Sequence, residues 1–155
     1  MHPLFVRLSA DLGELRRELR EIDAAEALFD AQGGPLAQSW ARWKALAAGT
    51  EGVYTGIEKI LRMIAREIDD YVPDDESWHR SLLQQMALPL EGVRPAVLSP
   101  DTFRLLDELR GFRHRVRNIY GFSLDPEFVK TNLARLRLAV PAFEQDFARL
   151  AEAVG

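Results

Sequence analysis

The chain has 155 residues, 47% hydrophobic and 28% charged, a balance that fits one globular domain over 1–155 without a second independent core. It contains no cysteine, which excludes disulfides and thiolate metal sites, and the opening MHPLFVRLSADLGELRREL meets charge at Arg7, Asp11 and Glu14, unlike a signal peptide or membrane span. With 24 acidic against 20 basic side chains the surface disfavours a general nucleic-acid coat, so a cytoplasmic protein engaging neither membrane nor DNA is expected.

Four segments repeat apolar residues at alternating spacings of three and four, the signature of helices with one buried stripe. The first is Phe5, Leu8, Leu12, Leu15, Leu19 and Ile22. The second runs from Leu36, Trp40 and Trp43 through Ala47, Thr50, Tyr54, Ile57, Leu61, Ile64 and Ile68 to Tyr71. Gly49, Gly52 and Gly56 interrupt it, which implies close helix packing, a kink or a break. After Val72-Pro73-Asp74-Asp75 a shorter helix beginning near Ser77 carries Trp78, Leu82, Leu83 and Met86, followed by an irregular connection through Pro89, Gly92 and Pro95. The third segment holds Leu105, Leu109, Phe112, Val116 and Ile119; the last runs from Val129 to Val154, with Pro141 inside it as a bend or a lost hydrogen bond.

The boundaries agree with the periodicity. Gln32-Gly33-Gly34-Pro35 separates the first two helices, Ser99-Pro100 and Asp125-Pro126 each place a capping residue before a proline, and Gly121 suits a helix end. No period-two alternation occurs, so the expected fold is an all-α, up-and-down bundle of four long helices plus a short one.

Charge is segregated within this pattern. Arg110, Arg113, Arg115 and Arg117 fall in a stretch, Leu109 to Leu124, that has no acidic residue; setting them aside leaves 16 basic against 24 acidic side chains. At 100° per residue, Arg110, Arg113, Arg117 and Tyr120 form one stripe, while His114 and Asn118 stack on the neighbouring face. Guanidinium groups bind phosphate oxygens, imidazole moves protons near neutral pH, and a phenol can hydrogen-bond or be modified. A solvated arginine face balancing the acidic surplus accounts for the spacing equally well.

Elsewhere the signals are weaker. Asp69, Asp70, Asp74, Asp75 and Glu76 lack the pattern of a calcium loop; they favour the start of the short helix or meet the arginines of a second subunit. His2, His79 and His114 lack the one-turn spacing of a zinc pair, so neither metal nor cofactor is expected. Trp40, Trp43 and Trp78 lie on apolar stripes, as core or dimer interface.

The chain resembles HepT-like proteins of the HEPN superfamily. The likeness rests on Arg113 and Tyr120 as the outer members of an arginine, four residues, histidine, one residue, tyrosine motif, on Glu76-Ser77-Trp78-His79-Arg80 with Leu82 to Met86, on Leu105 to Arg110, and on Gly121 to Pro126. Asn118 stands where that motif has histidine. The resemblance implies a toxin of a toxin-antitoxin pair: a metal-independent endoribonuclease, homodimeric, with the motifs of two subunits facing one cleft. Arg113 would stabilise the attacked RNA phosphate, and Arg110 and Arg117 would help bind it. The partner would be a nucleotidyltransferase-fold antitoxin that neutralises by binding or by transferring AMP to Tyr120. An amide cannot act as a titratable base, so three uses of the site stay open. His114 could take over proton transfer one turn away, the chain could bind RNA or its partner without cutting, or it could inhibit growth by another route.

Overall fold

The computed structural model describes residues 2–118 and 124–155. Its elements are α1 (Pro3–Gln32), α2 (Gly34–Ala37), α3 (Trp40–Glu67), α4 (Trp78–Ala87), α5 (Pro100–Asn118) and α6 (Pro126–Val154), with no strand among the described residues. This is the expected all-α bundle, four long helices and one short, with the single turn of α2 added between α1 and α3.

Local chemistry sets the helix starts. Ser39 Oγ accepts from the Arg42 amide at 3.3 Å, Ser99 Oγ from the Thr102 amide at 3.3 Å, and the Asp125 carboxylate from the Glu127 amide at 3.0 Å. Gly33, at φ 61°, ends α1 by donating its amide to the Phe29 carbonyl. Gly121, the expected stop for α5, lies outside the described residues.

The buried apolar side chains of α1, α3, α4, α5 and α6 form one cluster in which α3 packs against all four of the others, α5 also meets α4 and α6, and α1 also meets α6. The apolar stripes are the helix faces that form it, with two corrections. In α5 the buried apolar row starts at Leu106, one turn after buried Thr102, Leu105 being only half-covered. In the second segment Leu36, which falls in α2, and Trp40 and Tyr71 are 43%, 57% and 63% exposed. The Ser39 cap makes Trp40 the first residue of α3, on its outer turn, and Tyr71 lies past the helix end, beyond Asp70 at φ 56°. Of the other two tryptophans, Trp43 is buried and Trp78 half-buried.

Helix α3 runs unbroken through its three glycines, and two of them are explained by contact with α1. A methyl group at Gly49 would stand 2.7 Å from Ile22 Cγ1, and one at Gly56 would overlap Leu15 Cδ2, whereas Gly52 faces open space. Helix α6 likewise continues through Pro141, at an exposed position where solvent can take the hydrogen bond that the ring removes.

The connection between α4 and α5 is stitched rather than loose. Arg94 is buried, its Nε and Nη2 donating to Asp69 at 2.6 and 2.7 Å and its Nη1 to the carbonyls of Leu88 and Pro95. Asp69 therefore leaves the acidic cluster to anchor this connection. Asp75 accepts from the Ser77 amide at 2.7 Å, serving the start of α4. Ser99, just before α5, donates its amide to buried Asp146 of α6 at 2.9 Å. Arg94 thus ties the connection to the end of α3 and Asp146 ties the start of α5 to α6, while α4 and α5 both pack on α3 and on each other, and the pocket described next lies between them.

Candidate functional site

The rotation of 100° per residue distributes the positive charge of α5 among different neighbours. Arg110, Arg113 and His114 line a pocket of about 400 Å³ together with Glu76, Ser77, His79 and Arg80 from the start of α4. Arg115 lies over the Phe128 ring of α6, 4.5 Å from its centroid. Arg117 donates from Nε to Glu51 of α3 at 2.6 Å and does not line the pocket. Asn118 turns its amide back onto its own helix, donating to the His114 carbonyl at 2.7 Å. Tyr120 lies outside the described residues.

The stripe read from spacing is thus divided. Arg110 and Arg113 share an opening with His114; Arg117 and Asn118 are engaged elsewhere. Arg110 also meets Asp107, one turn back, at 2.9 Å, in a half-exposed pair of the kind that contributes little to stability. Arg113 is half-buried, and its Nε is buried without a hydrogen-bond partner among the described residues.

Beneath this opening α3 presents polar groups to the seam. Glu58 is 4% exposed at its side chain, and its Oε2 receives the Tyr54 hydroxyl at 3.2 Å and lies 2.6 Å from His79 Nδ1. Burial raises the Tyr54 phenol well above its ordinary range and the adjacent Glu58 carboxylate raises it further, while Arg110 and Arg113 pull it back. Tyr54 is accordingly a neutral donor near physiological pH. The same influence places both arginines within electrostatic reach of the α3 groups. Since Glu51 meets Arg117 at the other end of this face, α3 and α5 run antiparallel here.

His79 is held on a second side as well. Its ring stacks on Trp78 with centroids 3.6 Å apart, and the Arg62 guanidinium stands 4.6 Å from the Trp78 ring. A histidine fixed by a carboxylate and by stacking, with a quarter of its side chain exposed toward arginines, has the attributes of a positioned proton acceptor.

Glu58, Tyr54, His79 and Arg80 were not among the site residues expected from the sequence. One signal was present, because Glu51, Tyr54 and Glu58 recur at spacings of three and four within an apolar helix, matching the seven-residue step from Arg110 to Arg117. His79 stands in the phrase Glu76 to Arg80 that carries the family likeness, but no spacing ties it to Glu58; only the packing of α4 on α3 joins them. A larger pocket of about 530 Å³ lies beside Tyr71, Leu88 and Leu90, but of its charged groups Asp69 and Arg94 are spent on each other and Asp75 accepts from the Ser77 amide.

The described residues form an all-α bundle in which arginines and histidines from two adjacent helices line one polar pocket. Residues 45–154 match the family described as HepT-like protein, and the chain belongs to that family. The match spans most of α3 and all of α4, α5 and α6, so it includes every residue of the pocket. Comparison with curated proteins and with solved structures gave no match.

Proposed function

We propose that this chain is the toxin component of a toxin-antitoxin pair, a metal-independent endoribonuclease whose pocket receives an RNA phosphate. The observation that carries the reading is the convergence of Arg110, Arg113 and Arg80 with two imidazoles on one polar opening. The volume, in the range of about 300–1,000 Å³ usual for ligand sites, accommodates a phosphodiester and its ribose.

Chain cleavage at such a site needs a fixed cation and a proton acceptor. The ribose 2′-oxygen attacks the adjacent phosphorus and gives up its proton, the bond from phosphorus to the 5′-oxygen breaks, and that oxygen leaves protonated. The products are a 2′,3′-cyclic phosphate and a 5′-hydroxyl end. Arg113 and Arg110 stabilise the charge on the phosphoryl oxygens. A second copy of the chain supplies the facing half of the cleft, and a nucleotidyltransferase-fold antitoxin closes it by binding or by transferring AMP to Tyr120.

The second reading, an interaction module that holds RNA or the nucleotidyltransferase partner without cutting, is favoured by one observation. Asn118 occupies the motif's histidine position and bonds to its own helix.

The test is incubation of the purified chain with RNA in chelator. Wild type is expected to produce cyclic-phosphate ends, and Arg113→Ala to lower the rate by on the order of 100-fold. The same substitution should flatten the slope of log affinity against log salt by about 0.7, one phosphate contact on a single strand. Binding without cleavage selects the interaction module; neither binding nor cleavage removes both readings.

A further inference from the structure

We infer that His79, oriented by buried Glu58, is the proton acceptor of this site, supplied by α4 in place of the motif histidine that α5 lacks. The inference rests on reading the pocket as an RNA-cleaving site. Three groups compete for the role. Asn118 has no atom basic enough to take a proton near neutral pH, and its amide points along its own helix. His114 is exposed, and among the described residues its imidazole makes no hydrogen bond, so nothing shown fixes its ring. His79 alone is fixed on two sides, by Glu58 at 2.6 Å and by the stacked Trp78 ring.

The carboxylate also decides which nitrogen works. A carboxylate only accepts hydrogen bonds, so the His79 nitrogen facing it, Nδ1, carries the ring proton, and Nε2 keeps the lone pair. Tyr54 donates to the same Oε2, which holds the carboxylate in place. A carboxylate this deeply buried costs stability unless paired, and replacing such groups with apolar ones is commonly tolerated. Its position directly behind a ring that lines the pocket gives the arrangement a use.

The step follows with its atoms accounted for. His79 Nε2 takes the proton from the ribose 2′-hydroxyl as the 2′-oxygen bonds to phosphorus. The 5′-oxygen departs with the electrons of its bond and takes a proton from water, and His79 later returns its proton to water. Glu58 is a positioning residue here: it touches neither RNA nor the reacting atoms.

The experiment measures RNA cleavage and RNA binding separately in chelator, with helical content recorded for each variant. His79→Ala is expected to lose about 10²–10⁴-fold in cleavage rate with RNA affinity unchanged, and added imidazole should restore part of the rate. Glu58→Gln should lose on the order of 10–100-fold at unchanged affinity. His114→Ala, which removes the other imidazole of the pocket, should lose clearly less cleavage than His79→Ala, and its remaining rate should not rise with added imidazole. Cleavage by His79→Ala at the wild-type rate, or no response to imidazole, overturns the assignment and leaves the nuclease reading intact. A wild-type chain that cuts no RNA overturns both. Because Glu58→Gln disturbs a buried group, nitrogen-15 NMR of the wild-type histidines supplies an independent check. His79 should carry its proton on Nδ1, and a ring protonated on Nε2 alone contradicts the proposal.

Discussion

Arg94 and Asp69 meet across 25 residues of sequence in a two-point ion pair whose side chains are 1% and 2% exposed. The pair fastens the end of α3 to the connection that leads into α5. Two charges taken out of water are stable there only while both are present, because removing one leaves the other buried and uncompensated. Arg94→Met is therefore expected to lower unfolding stability by about 3–5 kcal/mol, and the double variant Arg94→Met with Asp69→Leu to stand closer to wild type than the single one. Urea denaturation of the three chains checks this; a double variant weaker than the single contradicts it.

The α1–α3 interface makes opposite predictions for two glycines one turn apart. At Gly52 an added methyl group meets nothing within 4 Å, so Gly52→Ala should stabilise by up to about 1 kcal/mol through helix propensity. At Gly49 the same methyl runs into the middle of the branched Ile22 side chain, and overpacking of about 1–3 kcal/mol outweighs the gain. Thermal melting should move the two variants to opposite sides of wild type.

Tyr54 gives a dependence on pH whose sign follows from its surroundings. The phenol's ordinary value is 10.0, and burial followed by the Glu58 carboxylate raises it in the folded chain. The protonated phenol is the favoured form, so its contribution to stability is complete below about pH 10 and is lost as pH rises through the higher folded value. Ultraviolet titration of wild type minus Tyr54→Phe should show no tyrosinate until helical circular dichroism collapses. Ionisation near pH 10 with the helices intact would count against the buried Tyr54–Glu58 contact.

Much of this molecule was legible before any fold was known. Runs such as Phe5, Leu8, Leu12 and Leu15, or Val129, Leu133, Leu136 and Val140, prescribe helices with one buried face, since a period near 3.6 is the only regular backbone that gathers them. Ser99 and Asp125 mark where helices start, because their side chains bond amides two or three residues away. The ends of the second stripe misled, since the apolar rhythm continues through Trp40 and Tyr71 where no neighbouring helix covers them.

By itself, then, the sequence determined the helices, their buried faces and the concentration of arginine along α5, all products of contacts spanning a few residues. Only the tertiary structure decided which of those arginines face an opening. It turned Arg117 to Glu51, laid Arg115 over Phe128, and set Arg110 and Arg113 beside a histidine from another helix. The physical reason is that a helix periodicity assigns each side chain a direction but not a neighbour. Neighbours come from how α3, α4 and α5 pack, and the meeting of Glu58 with His79, 21 residues apart, exists only once they have.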